Sequence, residues 1–246
     1  MQVNIYKSKK ETGQEAALRG ENIIVNAQRT QRIVRIIFAT GSSQFDLLQE
    51  LSKSSKINWE NCEIYHLDEY IGLDSEHSAS FVNYLNERLI SKIRPVFKFH
   101  SIDGKAATIT YELQRLNSNI RSKTIDLAFI GIGENSHLAF NDPPADHRTE
   151  EPFIKVVLDK KCRQQQVTEG WFKTIDEVPR NAITMSIKQI LKSKKIICTV
   201  SDQRKAKAVQ STVHGPVTNL CPASYLQKHK NTFLMLDEAA ASLLRN

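Results

Sequence analysis

A chain of 246 residues with 40% hydrophobic and 25% charged residues has the composition of an ordinary globular protein, long enough to bury a real core in one large domain. Its 34 basic and 27 acidic residues leave a net charge of +7, which suits an acidic ligand. The basic cluster Lys192, Lys194 and Lys195 has no interleaved aromatics, so nucleic acid is not an expected partner.

Apolar runs of strand length recur at 33–39, 62–67, 124–131, 153–158, 182–187, 195–200 and 232–236. Apolar residues spaced by three and four predict helices over 43–53, 79–90, 107–117, 203–213 and 223–229. The alternation predicts an α/β fold, with an open, mostly parallel, doubly wound, Rossmann-like sheet and helices on both faces, in one domain over 1–246. The stretch IDLAFIGI at 125–132 is almost wholly apolar, as a central strand covered on both faces would be. Neither a repeat nor a linker interrupts the pattern.

Cys62, Cys162, Cys198 and Cys221 lack metal-ligand spacing, so a metal is not expected and the thiols read as reduced and buried. No run approaches the roughly 18 apolar residues of a membrane span. Without an apolar leader either, a cytoplasmic protein with no membrane partner is the expectation.

Ligands of open α/β sheets sit beyond the carboxyl ends of the strands, so three strand ends matter most. The first runs into Thr40, Gly41, Ser42 and Ser43 and then a helix, a turn whose amides and hydroxyls suit a phosphate, although Ser and Thr also serve as plain helix caps. The second ends in Asp68 and Glu69, either of which could be a general base if partly desolvated; capping or solvated surface is the plainer alternative. The third carries Gly133, Asn135 and His137, with Asp142 five positions further on. A histidine so delivered can shuttle a proton if an acid or amide orients its ring.

In this order and spacing the three segments resemble the glucosamine-6-phosphate deaminases and their relatives the 6-phosphogluconolactonases, over most of the chain. The resemblance rests on the Thr40-Gly41 turn, DEYIGL at 68–73, the glycine turn and HLAFNDP over 131–143, and Lys205 in DQRKAKAV. It implies that Asp68 is the proton-transfer base, that His137 assists sugar ring opening, and that Asp142 is its acid partner. It also implies that Gly41, Ser42, Ser43 and Lys205 hold a phosphate, with Thr40, Glu69 and Gly133 beside the substrate. A family arginine that grips the phosphate has no clear counterpart; Arg163 is the candidate.

Two positions depart from the family pattern, Asn135 for an aspartate and Ser136 for a glycine. The Asn135 oxygen is expected to accept the imidazole N–H while Asp142 supplies the charge, so that Asn135→Asp should be tolerated. Ser136 would carry a strain cost of about 1 kcal/mol if its φ were positive. The implied reaction converts a 2-amino-2-deoxyhexose 6-phosphate, such as glucosamine 6-phosphate, to fructose 6-phosphate and ammonia, with neither metal nor organic cofactor. A 6-phosphogluconolactonase or a non-catalytic sugar-phosphate sensor is the rival. A homo-oligomer is also open, because the family includes both monomers and hexamers.

Overall fold

The computed structural model describes residues 1–93 and 95–244. Ten strands are present among them: β1 (Gln2–Tyr6), β2 (Val34–Phe38), β3 (Cys62–His66), β4 (Asp68–Tyr70), β5 (Lys98–His100), β6 (Leu127–Ile130), β7 (Phe153–Val157), β8 (Asn181–Met185), β9 (Lys195–Val200) and β10 (Thr232–Asp237). The helices are α1 (Lys9–Gln28), α2 (Phe45–Ser52), α3 (Phe81–Leu85) with a π turn at Asn86–Ile90, α4 (Ser91–Ile93), α5 (Ile109–Ile120), α6 (Lys160–Thr168), α7 (Ile187–Leu191) and α8 (Ala206–His214).

Seven strands form one parallel sheet in the order β1-β10-β9-β6-β2-β3-β5. Successive side chains of a strand point to opposite faces, and here both faces are apolar. Ile37, Tyr65, Ala128 and Ile196 pack with Leu116 and Ile120 of α5 and Val209 of α8. Ile36, Phe38, Ile64 and Phe129 pack on the other side with Ile24 of α1 and Leu47 and Leu51 of α2. Both faces are therefore covered, and the near-continuous apolar reading of β6 at the sheet centre follows.

The chain leaves β2 toward β3 and β5 on one side, then returns to β6 on the other side of β2 and continues to β9 and β10. Strand order thus reverses between β2 and β6. The two loops that follow these strands diverge there and leave a crevice at their carboxyl ends, the place where such sheets hold ligands.

Three expectations are corrected. The runs at 153–158 and 182–187 are not in the parallel sheet; as β7 and β8 they join β4 in a separate antiparallel sheet of order β4-β8-β7. After the buried Phe153, β7 alternates half-buried Ile154 and Val156 with exposed Lys155 and Val157, the signature of a sheet with one wet face. The segment at 223–229 is a 3₁₀ helix, Pro222–Lys228, with proline at its start. β1 and α1 carry no clear sequence signal, because β1 is a half-exposed edge strand and α1 contains Gly13 and Gly20 among its buried residues. Among the described residues no helix is long and apolar enough to cross a membrane.

Candidate active site

One cleft opens at the crevice between β2 and β6, and Thr40, Gly41, Ser42, Ser43, Asp68, Gly133, His137 and Lys205 all line it. At the β2 end the chain turns sharply: Gly41 has φ 103°, a backbone region where a side chain would be strained. The turn is pinned from both sides. The Tyr84 hydroxyl donates to the Gly41 carbonyl at 2.8 Å, and the buried Gln44 amide donates to Ser43 Oγ at 3.0 Å and Thr199 Oγ1 at 2.6 Å. A 3₁₀ turn, Ser42–Gln44, then leads into α2, so hydroxyls and helix-start amides face the cleft together. Across it, Lys205 ends a 3₁₀ turn that leads into α8, and only 9% of its surface is exposed. Burial lowers the Lys205 pKa, with the Glu169 carboxylate opposing that effect.

Asp68 opens β4, whose pairing with β8 sets Asp68 opposite Thr184 and fixes its direction. It is 6% exposed, and burial first, then the neighbouring Glu69 charge, raises its pKa well above the usual carboxylate range. Glu69 points elsewhere. Its carboxylate accepts from the Ser80 hydroxyl at 2.7 Å, the Val82 amide at 3.0 Å and the Tyr70 amide at 2.9 Å, so it caps the start of α3. The expectation that Glu69 stands beside the substrate is corrected: alternation along β4 sends the two carboxylates to opposite faces.

His137 stands on the loop after β6. Its Nδ1 lies 3.1 Å from Asp142 Oδ1, and its ring is packed so closely on Gly133 that a Cβ there would fall 2.2 Å from the imidazole. Burial works to raise the Asp142 pKa, but hydrogen bonds from His137, Asn135 and the Asp159 amide outweigh it and hold the carboxyl below its ordinary range. Asn135 is not placed as expected. Its oxygen accepts from the His137 backbone amide at 3.3 Å and not from the ring, while its side-chain nitrogen donates to Asp142 Oδ1 at 3.0 Å and Asp159 Oδ2 at 3.3 Å. Ser136 does adopt positive φ, 68°, buried under the loop. Cys162 Sγ lies within 4.8 Å of the His137 and Asp142 ligand atoms, and burial, then the charge of Asp142, push its thiol pKa well up.

Arg163 does not reach the cleft: its guanidinium is bound to the carbonyls of Ile175 and Val178 and anchors that loop. The arginine lining the cleft is Arg204, beside Lys205, where it pairs with Asp202 at 3.0 Å and Glu134 at 3.3 Å. Lys9, Gln165, Glu169 and Trp171 also line the cleft, and no sequence motif marks them. Gln165 and Glu169 are four apart at the end of α6, a helix whose polar composition reads as solvated surface.

The cleft brings together a desolvated carboxylate, a histidine–acid pair and a hydroxyl-lined turn at a sheet switch point, groups able to move protons beside an anion. Residues 7–235 match the family of glucosamine-6-phosphate isomerases and 6-phosphogluconolactonase, and the chain belongs to that family. A glucosamine-6-phosphate deaminase of Lactobacillus delbrueckii subsp. bulgaricus is 37% identical over 209 residues, covering 84% of this chain and 86% of the relative. One of Exiguobacterium sibiricum is 35% identical over 220 residues, covering 87% and 85%. Among solved structures, a monomeric glucosamine-6-phosphate deaminase superposes with a TM-score of 0.89 at 28% identity, covering 99% of this chain and 100% of that one. A 6-phosphogluconolactonase from Trypanosoma brucei, with a TM-score of 0.81 at 14% identity over 99% of this chain and 98% of that one, shares the fold.

Proposed function

We propose that this chain is a deaminating isomerase that converts glucosamine 6-phosphate and water to fructose 6-phosphate and ammonia. The observation that carries the proposal is the buried, base-poised Asp68 facing the same cleft as the His137–Asp142 pair and the Thr40–Ser43 turn. Its deaminase relatives, at 35% to 37% identity over most of the chain, support the same substrate.

In this reading Ser42, Ser43, the Gly41 turn and Lys205 hold the 6-phosphate. Asp142 accepts the Nδ1 proton of His137, which leaves Nε2 to move a proton between the sugar ring oxygen and the anomeric hydroxyl and so open the ring. Asp68 removes the C2 proton of the open chain. An enolamine forms, the proton returns to C1, and the resulting C2 imine takes up water and releases ammonia, leaving the ketose phosphate. Desolvation makes Asp68 a stronger base than an exposed carboxylate, which suits abstraction from carbon. The four cysteines are free and buried, in keeping with a reducing cytoplasm.

The test is incubation with glucosamine 6-phosphate, following ammonia and fructose 6-phosphate together. Equimolar release of both is expected. Hydrolysis of 6-phosphogluconolactone without ammonia release from the amino sugar would reverse the assignment, because lactone opening needs no base for a C–H bond.

A further inference from the structure

The cations at the phosphate end of the cleft already have acidic partners. Arg204 is held by Asp202 and Glu134. Lys205 Nζ lies 3.7 Å from Glu169 Oε1, and both side chains are about nine-tenths buried, with 11% and 10% exposure. Glu169 is fixed in place: the Gln165 amide donates to its Oε1 at 2.7 Å, while Gln165 Oε1 accepts from the Glu134 backbone amide at 3.2 Å. One buried carboxylate, tied through Gln165 to the loop after β6, therefore faces the ammonium that a phosphate would use. Lys9, also on the cleft wall, lies over the Phe45 ring.

A phosphate dianion brought to Lys205 is also brought to Glu169, and two like charges in a poorly hydrated site repel strongly. Phosphate entry thus requires that the Glu169 carboxylate move off Lys205. Resting on the sugar-phosphate reading above, we propose that Glu169 is an internal competitor for Lys205 which sets the phosphate affinity of the cleft. The residue is an affinity determinant that acts through Lys205 and takes no part in proton transfer.

The test is calorimetric binding of inorganic phosphate and of glucosamine 6-phosphate to the wild type and to Glu169→Gln, Lys205→Ala and the double variant. Glutamine keeps the volume and the hydrogen bond to Gln165 while removing the charge. Glu169→Gln should bind inorganic phosphate about tenfold tighter or more, the scale of one removed charge-pair competitor, with a gain of similar size for the sugar phosphate. The gain should vanish when Lys205→Ala is added. Glu169→Ala should reproduce it, which guards against a folding defect in one variant. A Glu169→Gln variant that binds phosphate no tighter, or a gain that survives loss of Lys205, overturns the inference. If the wild type binds glucosamine 6-phosphate and Glu169→Gln gains nothing, only the Glu169 proposal falls. If no form binds either phosphate, the substrate assignment falls with it.

Discussion

At position 135 an amide nitrogen donates to Asp142 and to Asp159, and the same side chain's oxygen holds the His137 backbone amide. An aspartate there would set a third carboxylate against two others, so the expectation from sequence that Asn135→Asp is tolerated is replaced by its opposite. Asn135→Asp should lower kcat/KM by about tenfold or more, and Asp142→Asn, which removes the carboxylate that orients His137, by about 10²-fold, both read from steady-state kinetics. Asp68 makes a separate statement about pH. Its folded pKa is raised, so its charged form costs stability above that pKa, and the cost disappears as pH falls through the raised value toward the unfolded pKa of about 4. Asp68→Asn should therefore raise Tm at neutral pH, and thermal melts at decreasing pH should show the advantage vanish. A Tm gain that persists at acidic pH would contradict the assignment. Activity of the wild type, which needs the carboxylate, should be lost on the acid side above the ordinary carboxylate range.

Two elements hold the chemistry, and they differ in how much the sequence says about them. The loop after β6 was legible in its histidine and acid, because a glycine turn, a histidine and an acid at one strand end are not easily explained as packing, but not in the contacts of Asn135. Its tightest constraint is Gly133, where the His137 ring fills the space of a side chain. Gly133→Ala must push the imidazole off its place. It should lower kcat by about 10²-fold, as misplacement of a reacting group does, while inorganic phosphate binding measured by calorimetry stays near that of the wild type. The antiparallel sheet of β4, β8 and β7 was not legible. Short apolar runs look alike in parallel and antiparallel pairing, and the partner of β4 lies over a hundred residues away, with Asp68 opposite Thr184. Nor could the sequence say that Glu69 turns inward as a cap while its neighbour Asp68 faces the cleft, since that depends on which face of β4 is covered.

Across the whole molecule, the alternation of strands and helices sufficed for the α/β class and for the site's position at the carboxyl ends of the strands, because βαβ connectivity and the reversal between β2 and β6 leave one crevice there. Net charge was a weaker guide. Of the 34 basic residues, Arg35 and Lys123 are engaged by the buried Glu63 and Arg204 by Asp202, so the net sum of +7 says little about which charges the cleft presents. The wall contributed by α6, with Gln165 and Glu169, was hidden for a related reason: polar residues on a polar helix look solvated until the fold brings Lys205 against them. In the proposed reaction, what unites the base, the histidine pair and the anion turn is transfer of one proton from C2 to C1 by Asp68. The most direct measurement is turnover of glucosamine 6-phosphate in heavy water, with the product read by NMR for the wild type and Asp68→Asn. Deuterium should appear at C1 of fructose 6-phosphate from the wild type, less than fully if Asp68 returns some of the abstracted proton. Asp68→Asn should lose that incorporation, with turnover reduced by about 10²-fold to 10⁴-fold. Undiminished turnover and C1 labelling in Asp68→Asn would contradict the account.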